Sequence, residues 1–222
     1  MPLRLNGSTD GSVTLQAPAD TAPTGTDITL TLPTTDGAAN EFLQTDGDGA
    51  LTWAVPTNTQ ITRGTAVTAA TGSPTSIDFT DVPANCRRVT LILDAVSTNG
   101  TSRMIVRLGT GTAETPNIDS DGYAGSVAQA STTSIGSQDM TTGFEVDEAL
   151  SAAAHRNYTM FLHNVSDNRW IASLVGGRSD AAATIMMGAR VNLDNPLTVV
   201  RLTTTGGTDT FDNGIVNIFY EV

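Results

Sequence analysis

Val199-Val-Arg-Leu-Thr-Thr-Thr-Gly-Gly-Thr-Asp-Thr-Phe-Asp-Asn-Gly-Ile-Val-Asn-Ile-Phe-Tyr-Glu-Val222 is the stretch whose reading decides the fold. Val199–Leu202 and Ile215–Val222 are apolar, β-branched runs, and Thr203–Gly214 between them is a polar, glycine-containing turn. Strand, turn and strand closing a sheet predict an all-β protein, extended or shell-like, rather than an enzyme built on a helical core. The same rhythm of Thr, Gly and short apolar runs extends through the 222 residues.

Composition excludes whole classes of function. The chain has 11 basic residues, all arginine, against 23 acidic ones, for a net charge of −12. A surface so acidic repels phosphates, so no nucleic-acid partner is expected. Charged residues make up only 15% of the chain, with many β-branched residues, which argues for a folded protein over a disordered one. At 5%, aromatics predict thin cores, shared between subunits. Cys86 is alone, so no intrachain disulfide or zinc spacing exists. No apolar run reaches the roughly 20 residues of a membrane helix, so no membrane insertion is expected. The start, Met1-Pro-Leu-Arg-Leu-Asn-Gly7, shows no secretory h-region.

The sequence divides in two. Residues 1–60 read as short strands with few large side chains. Val13 and Leu15, then Ile28, Leu30 and Leu32, alternate with polar neighbours, which predicts one buried face per strand. Asp46-Gly-Asp-Gly49 between Phe42-Leu-Gln44 and Leu51-Thr-Trp53 predicts a hairpin. So little apolar material does not make an independent core, which predicts a segment that needs partners, either copies of itself or a larger assembly. Residues 61–222 carry heavier strands at turn spacings that fit a β-sandwich of jelly-roll kind. The expected inward positions are Ile77, Phe79, Val89, Leu91, Leu93, Ile105, Met160, Leu162, Ile171, Ser173, Val175, Ala189, Val191 and Leu193. Asp147–Arg156 alone reads as a turn or two of helix.

Catalytic and metal-binding motifs fall short. Gly177-Arg-Ser-Asp-Ala181 lacks the second glycine of a nucleophile elbow, leaving Ser179 an ordinary loop residue. His155 and His163 are the only histidines, and their spacing supports no metal site. Asp119-Ser-Asp121-Gly122 opens like a calcium loop but lacks its later glycine and closing Glu, so a solvated turn is the better reading. Gly109-Thr-Gly111 lacks the Lys and further Gly of a phosphate loop. Asn-x-Ser/Thr at Asn6, Asn99, Asn157 and Asn164 arises by chance in so Thr-rich a chain. Asp147 and Glu148 are adjacent and as strand neighbours face opposite sides, which is wrong for a glycosidase pair. The expectation is a non-enzyme without cofactor or metal.

Tyr123, between two glycines, and Trp170, after Asp167-Asn168-Arg169, are the candidate recognition residues. An aromatic face flanked by Asn168 and Arg169 is suited to stack on and hydrogen-bond a sugar ring. Burial in the core is the competing reading for both rings.

Thr75-Ser-Ile-Asp-Phe-Thr-Asp-Val-Pro-Ala-Asn-Cys-Arg-Arg-Val-Thr-Leu-Ile-Leu-Asp-Ala-Val-Ser-Thr-Asn-Gly-Thr-Ser102 resembles the start of the distal domain of many bacteriophage tail-fibre proteins. Val106-Arg-Leu-Gly109, Gly122-Tyr-Ala-Gly125 and the closing Val200–Glu221 resemble the same family. Gly11–Pro18 through Phe42–Trp53 is similar to short modules in structural proteins of marine bacterial viruses. These resemblances imply a homotrimeric virion fibre. Its N-terminal part would attach to other phage tail or neck proteins, and its C-terminal domain would bind a host cell-surface glycan or protein. The alternatives are a structural head or neck fibre, or a capsid decoration protein, without receptor binding.

Overall fold

The computed structural model describes residues 3–6, 12–15, 19, 25, 27–56, 61–80, 82–147, 151–180 and 182–222. All of its regular elements are strands, and the described residues contain no helix. Part of the expected helical segment, residues 148–150, lies outside the described residues. The remainder is a turn at Ala152–Ala153 running into a strand from Arg156. The chain forms two compact units, Met1–Asn58 and Thr59–Val222.

In the first unit, β1 (Leu3–Asn6) pairs antiparallel with β2 (Ser12–Leu15), and β3 (Phe42–Thr45) with β4 (Leu51–Ala54). The β3–β4 turn is the predicted one. Asp46 Oδ1 accepts hydrogen bonds from the backbone N–H groups of Asp48 at 2.8 Å and Ala50 at 3.1 Å, the local bonding that makes Asp a turn former. Thr31 is bonded on both sides, donating to Gly49 O and accepting from Leu51 N, each at 2.8 Å. Trp53 Nε1 donates to Thr35 O at 2.8 Å. The alternation at Ile28, Leu30 and Leu32 does not produce the expected buried face. These side chains are 60%, 60% and 69% exposed, because no part of the described chain covers them.

The second unit contains β5 (Ile61–Arg63), β6 (Val67–Thr68), β7 (Ser76–Phe79), β8 (Arg88–Thr98), β9 (Met104–Gly111), β10 (Pro116–Ile118) and β11 (Ala124–Ala130). It continues with β12 (Ile135–Met140), β13 (Phe144–Glu145), β14 (Arg156–Ser166), β15 (Arg169–Arg178), β16 (Ala183–Asn192), β17 (Val199–Thr204) and β18 (Phe211–Glu221). One sheet runs β12-β11-β16-β15-β14-β8-β18-β5, with β6 also on β18; the other runs β10-β9-β17-β7, with β13 on β9. Every pairing is antiparallel, which short turns permit. The two closing runs of the sequence are β17 and β18. They belong to different sheets, so the turn between them crosses from one to the other.

One core cluster draws on both sheets. Leu91, Met160, Leu174 and Ile185 come from the larger sheet; Phe79, Val106, Leu108 and Leu202 come from the smaller. Each such side chain contributes about 1.5–3 kcal/mol on burial. Most expected inward residues are there, but β15 is a correction. Trp170, Ala172 and Leu174 face the core, while Ile171 and Val175 are 46% and 53% exposed and Ser173 shares their face. A shift of one residue exchanges the two faces of a strand. Ile105, also expected inward, is buried but lies outside the main cluster.

A bulge at Ala95 bends β8. Ala95 has φ 52° and is held by hydrogen bonds from its N–H to Asn157 Oδ1 and from Asn213 Nδ2 to its carbonyl, both at 2.9 Å. Gly214 lies against it with φ 95°, and a Cβ there would sit 2.6 Å from the Ala95 carbonyl. Only glycine fits this position.

Candidate functional site

Neither candidate aromatic is at a loop surface. Tyr123 is 3% exposed. Its hydroxyl accepts from Leu108 N at 2.8 Å and donates to Asp119 O at 3.3 Å, and its ring meets Phe144 edge-to-face at 4.8 Å. Burial, with the nearby Asp119 charge adding to it, pushes the phenol well above its usual range despite the bond from Leu108 N. Trp170 is 2% exposed, within β15 between Asn164 of β14 and Val191 of β16. A ring that stacks on a sugar must be reachable. The stacking role expected for Tyr123 and Trp170 is therefore corrected to a core role.

Asn168, half-buried in the β14–β15 turn, and Arg169, exposed at the start of β15, lie at the surface. That turn is fixed by Asn164 Nδ2 donating to Asp167 O at 2.8 Å and Leu193 N donating to Asn168 O at 3.1 Å. The strand register assigns this turn to one end of the larger sheet. Arg169 pairs with Asn192, His163 with Arg88, Arg88 with Glu221, and Glu221 with Ile61. Ile61 begins β5, so the chain enters the second unit at the end that carries Asn168 and Arg169.

The opposite end gathers the β8–β9 turn (residues 99–103) and the β17–β18 turn (residues 205–210). The two are clasped. Asn99 N donates to Thr210 O at 3.0 Å, and Thr210 N donates to Asn99 Oδ1 at 2.9 Å. Asp209 Oδ2 accepts from Ser102 N at 2.7 Å, and Thr205 N donates to Arg103 O at 2.8 Å. Gly100 makes room for this, since a Cβ there would lie 2.1 Å from Asp209 Cγ. Ser97 Oγ bonds Asp212, and Asn213 Nδ2 meets His155 Nδ1 at 3.2 Å. Thr101, Thr205 and Thr208 are left exposed on this rigid base. Hydroxyls and amides on backbone held by side-chain bonds form a preorganised polar surface of the kind recognition uses. In the sequence, Asn99-Gly100 and Thr205–Thr210 signal turns; that Asp209 ties one turn to the other is a tertiary fact no local pattern carries.

The remaining motifs resolve as follows. Asp121 N donates to Asp119 Oδ1 at 3.2 Å, a self-closed turn, and Asp194 joins both in lining a polar cleft of ≈ 270 Å³. Among the described residues, no group of three His, Cys, Asp or Glu is placed to hold a metal ion. Ser179 meets His155 through the backbone, N to O at 3.1 Å. His155 precedes β14 and His163 lies within it, eight residues further on. Among the described residues, no helix is long and apolar enough to cross a membrane. No protein-family model, curated protein or solved structure matches the chain.

Proposed function

We propose that the chain is a non-enzymatic bacteriophage virion fibre protein that acts as a homotrimer. Its first unit attaches to the particle and its second binds the host surface. The two sheets over one shared core are read as a β-sandwich. The observation that carries the reading is polarity within the second unit: the chain enters at one end of the larger sheet, and the clasped Thr- and Gly-rich turns, with Asn99 and Ser102, lie at the other. A domain tethered at one end presents the far end outward, and hydroxyl and amide groups there suit the hydroxyls of a cell-surface glycan. The segments that resemble tail-fibre distal domains, Thr75–Ser102 and Val200–Glu221, form β7, β8, β17, β18 and those two turns. The uncovered Ile28, Leu30 and Leu32 of the first unit support association, since apolar side chains in that number are otherwise left in water.

Gold-labelled antibody against the chain, imaged on virus particles, tests the assignment. Label on fibres whose tips meet the cell supports it. Label spread over the capsid or confined to the neck favours the alternative of a decoration or neck protein without receptor binding.

A further inference from the structure

We infer that the outer face of the larger sheet in the second unit is a subunit interface, covered by a differently presented surface of another copy of this chain; this rests on the trimeric reading above. The β15 register is the starting point. With Trp170, Ala172 and Leu174 committed to the core, Ile171 and Val175 are turned outward, and adjacent strands add to them in register. Met186 stands beside Val175, and Phe161 beside Ser173. Phe219 stands across Thr90 from Phe161. Met186 is 61% exposed and Phe161 37%. Towards β18 the face dips into a depression of ≈ 350 Å³ lined by Ile92, Phe161, Phe219 and Ile61 among others. At Gly188 of β16, beside Ser173, an added Cβ would meet nothing within 4 Å, so the face is open there.

Size and composition suit a protein partner. The five central strands, β16, β15, β14, β8 and β18, are ten or eleven residues long. At sheet spacings they present on the order of 600–800 Å², against about 800 Å² per partner in a standard interface. Phe, Met and Ile with arginine at the margin is the composition of an interface core and its surroundings. A glycan platform would be expected to use Trp or Tyr, whose rings carry a polar handle; here Phe161 is exposed and Phe219 half-buried, while Tyr220, also at the depression, packs against the core.

Charge selects the occupant. Arg63, Arg88, Arg169 and Arg190 lie on or beside this face with His163, while its carboxylates are Glu221, which pairs with Arg88, Asp94 and Asp139. The chain as a whole carries 23 acidic residues against 11 basic ones. This face is therefore less acidic than the chain taken as a whole. It complements the remaining surface of its own copies better than it complements itself. Such a contact is heterologous, and heterologous contacts that close make a cyclic trimer.

The test uses the full chain with one introduced cysteine, Met186→Cys on the face or Ala113→Cys in an exposed turn, and Cys86, 5% exposed, as the buried internal reference. Maleimide labelling and light scattering are measured on the same samples. The inference expects a mass three times the 23.0 kDa chain. It also expects Met186→Cys to react about tenfold or more slowly than Ala113→Cys, since a thiolate reacts only when it can be reached. Adding Val175→Glu, an outward position that leaves the core intact, should bring Met186→Cys to the control rate. A trimer in which Met186→Cys labels as fast as the control overturns the inference and leaves the trimeric reading standing. A monomer, whether its cysteine is protected or not, overturns both.

Discussion

Arg156 Nε donates to Asp147 Oδ2 at 2.6 Å, with both side chains at most 1% exposed. Tyr158 Oη approaches the same oxygen at 3.4 Å, and Arg156 Nη1 donates to Ala154 O at 3.0 Å. The pair ties the segment before β14 to the strand itself. Asp147, weighed in the sequence as half of a carboxylate pair, is thus a structural anchor with no open path to a substrate. Breaking a buried pair strands the surviving charge. Arg156→Met is expected to destabilise the protein by about 3–5 kcal/mol in urea unfolding. Asp147→Asn, which keeps the size and one acceptor, should cost less than Asp147→Ala.

Tyr123 supplies an acceptor to a buried backbone N–H, so Tyr123→Phe removes that acceptor and should cost about 1–3 kcal/mol. The variant also changes the response to alkali. Burial raises the folded-state phenol above its usual value of 10.0. Stability from this group is therefore complete below pH 10 and declines as pH rises from there towards the folded-state value. Melting temperatures across pH 8–11 should fall less steeply at the alkaline end for Tyr123→Phe than for the wild type. Equal slopes would contradict this. Tyr158, whose phenol burial and the Asp147 charge also raise, continues to titrate in both proteins and serves as a common background.

Gly214→Ala should cost more than a typical surface change. It combines a left-handed φ with a Cβ 2.6 Å from the backbone of Ala95. A loss of roughly 2 kcal/mol or more in chemical denaturation is expected. A change within about 0.5 kcal/mol would show that the bulge can relax.

How far the sequence discloses this molecule is clearest along Arg169-Trp-Ile-Ala-Ser-Leu-Val175. In β16 the alternation of Ile185, Met187 and Val191 with Thr184, Arg190 and Asn192 marks the inner face plainly. In β15 both alternations are apolar, Trp170 with Leu174 and Ile171 with Val175, so the pattern fixes a strand but not its register. Tyr123 misleads for a different reason. Its glycine neighbours signal a loop, and what draws it inward is the distant N–H of Leu108 and the ring of Phe144. The β3–β4 hairpin was legible because its turn is closed by Asp46, a local partner. The clasp at Asp209 was not, because Asp209 and Ser102 are far apart in sequence.

The register makes its own prediction. Trp170→Ala should cost about 3–5 kcal/mol through the cavity it leaves, while Arg169→Ala, one position away and exposed, should stay within about 0.5 kcal/mol. The two variants compared by thermal melting decide it. Loss of cell binding by Trp170→Ala without loss of melting temperature would instead restore the stacking role.

Binding of the fluorescently labelled full chain to host cells measures the central claim most directly. Thr101→Arg with Thr208→Arg places bulk on the exposed tips of the clasped turns without touching Asn99, Ser102 or Asp209. Asn168→Ala with Arg169→Ala alters the end at which the chain enters. The account predicts that the first pair weakens cell binding by about tenfold or more, a difference of about 1.4 kcal/mol. Melting should be unchanged, and the second pair should bind as the wild type does. Undiminished binding by Thr101→Arg with Thr208→Arg, or loss confined to Asn168→Ala with Arg169→Ala, would contradict it.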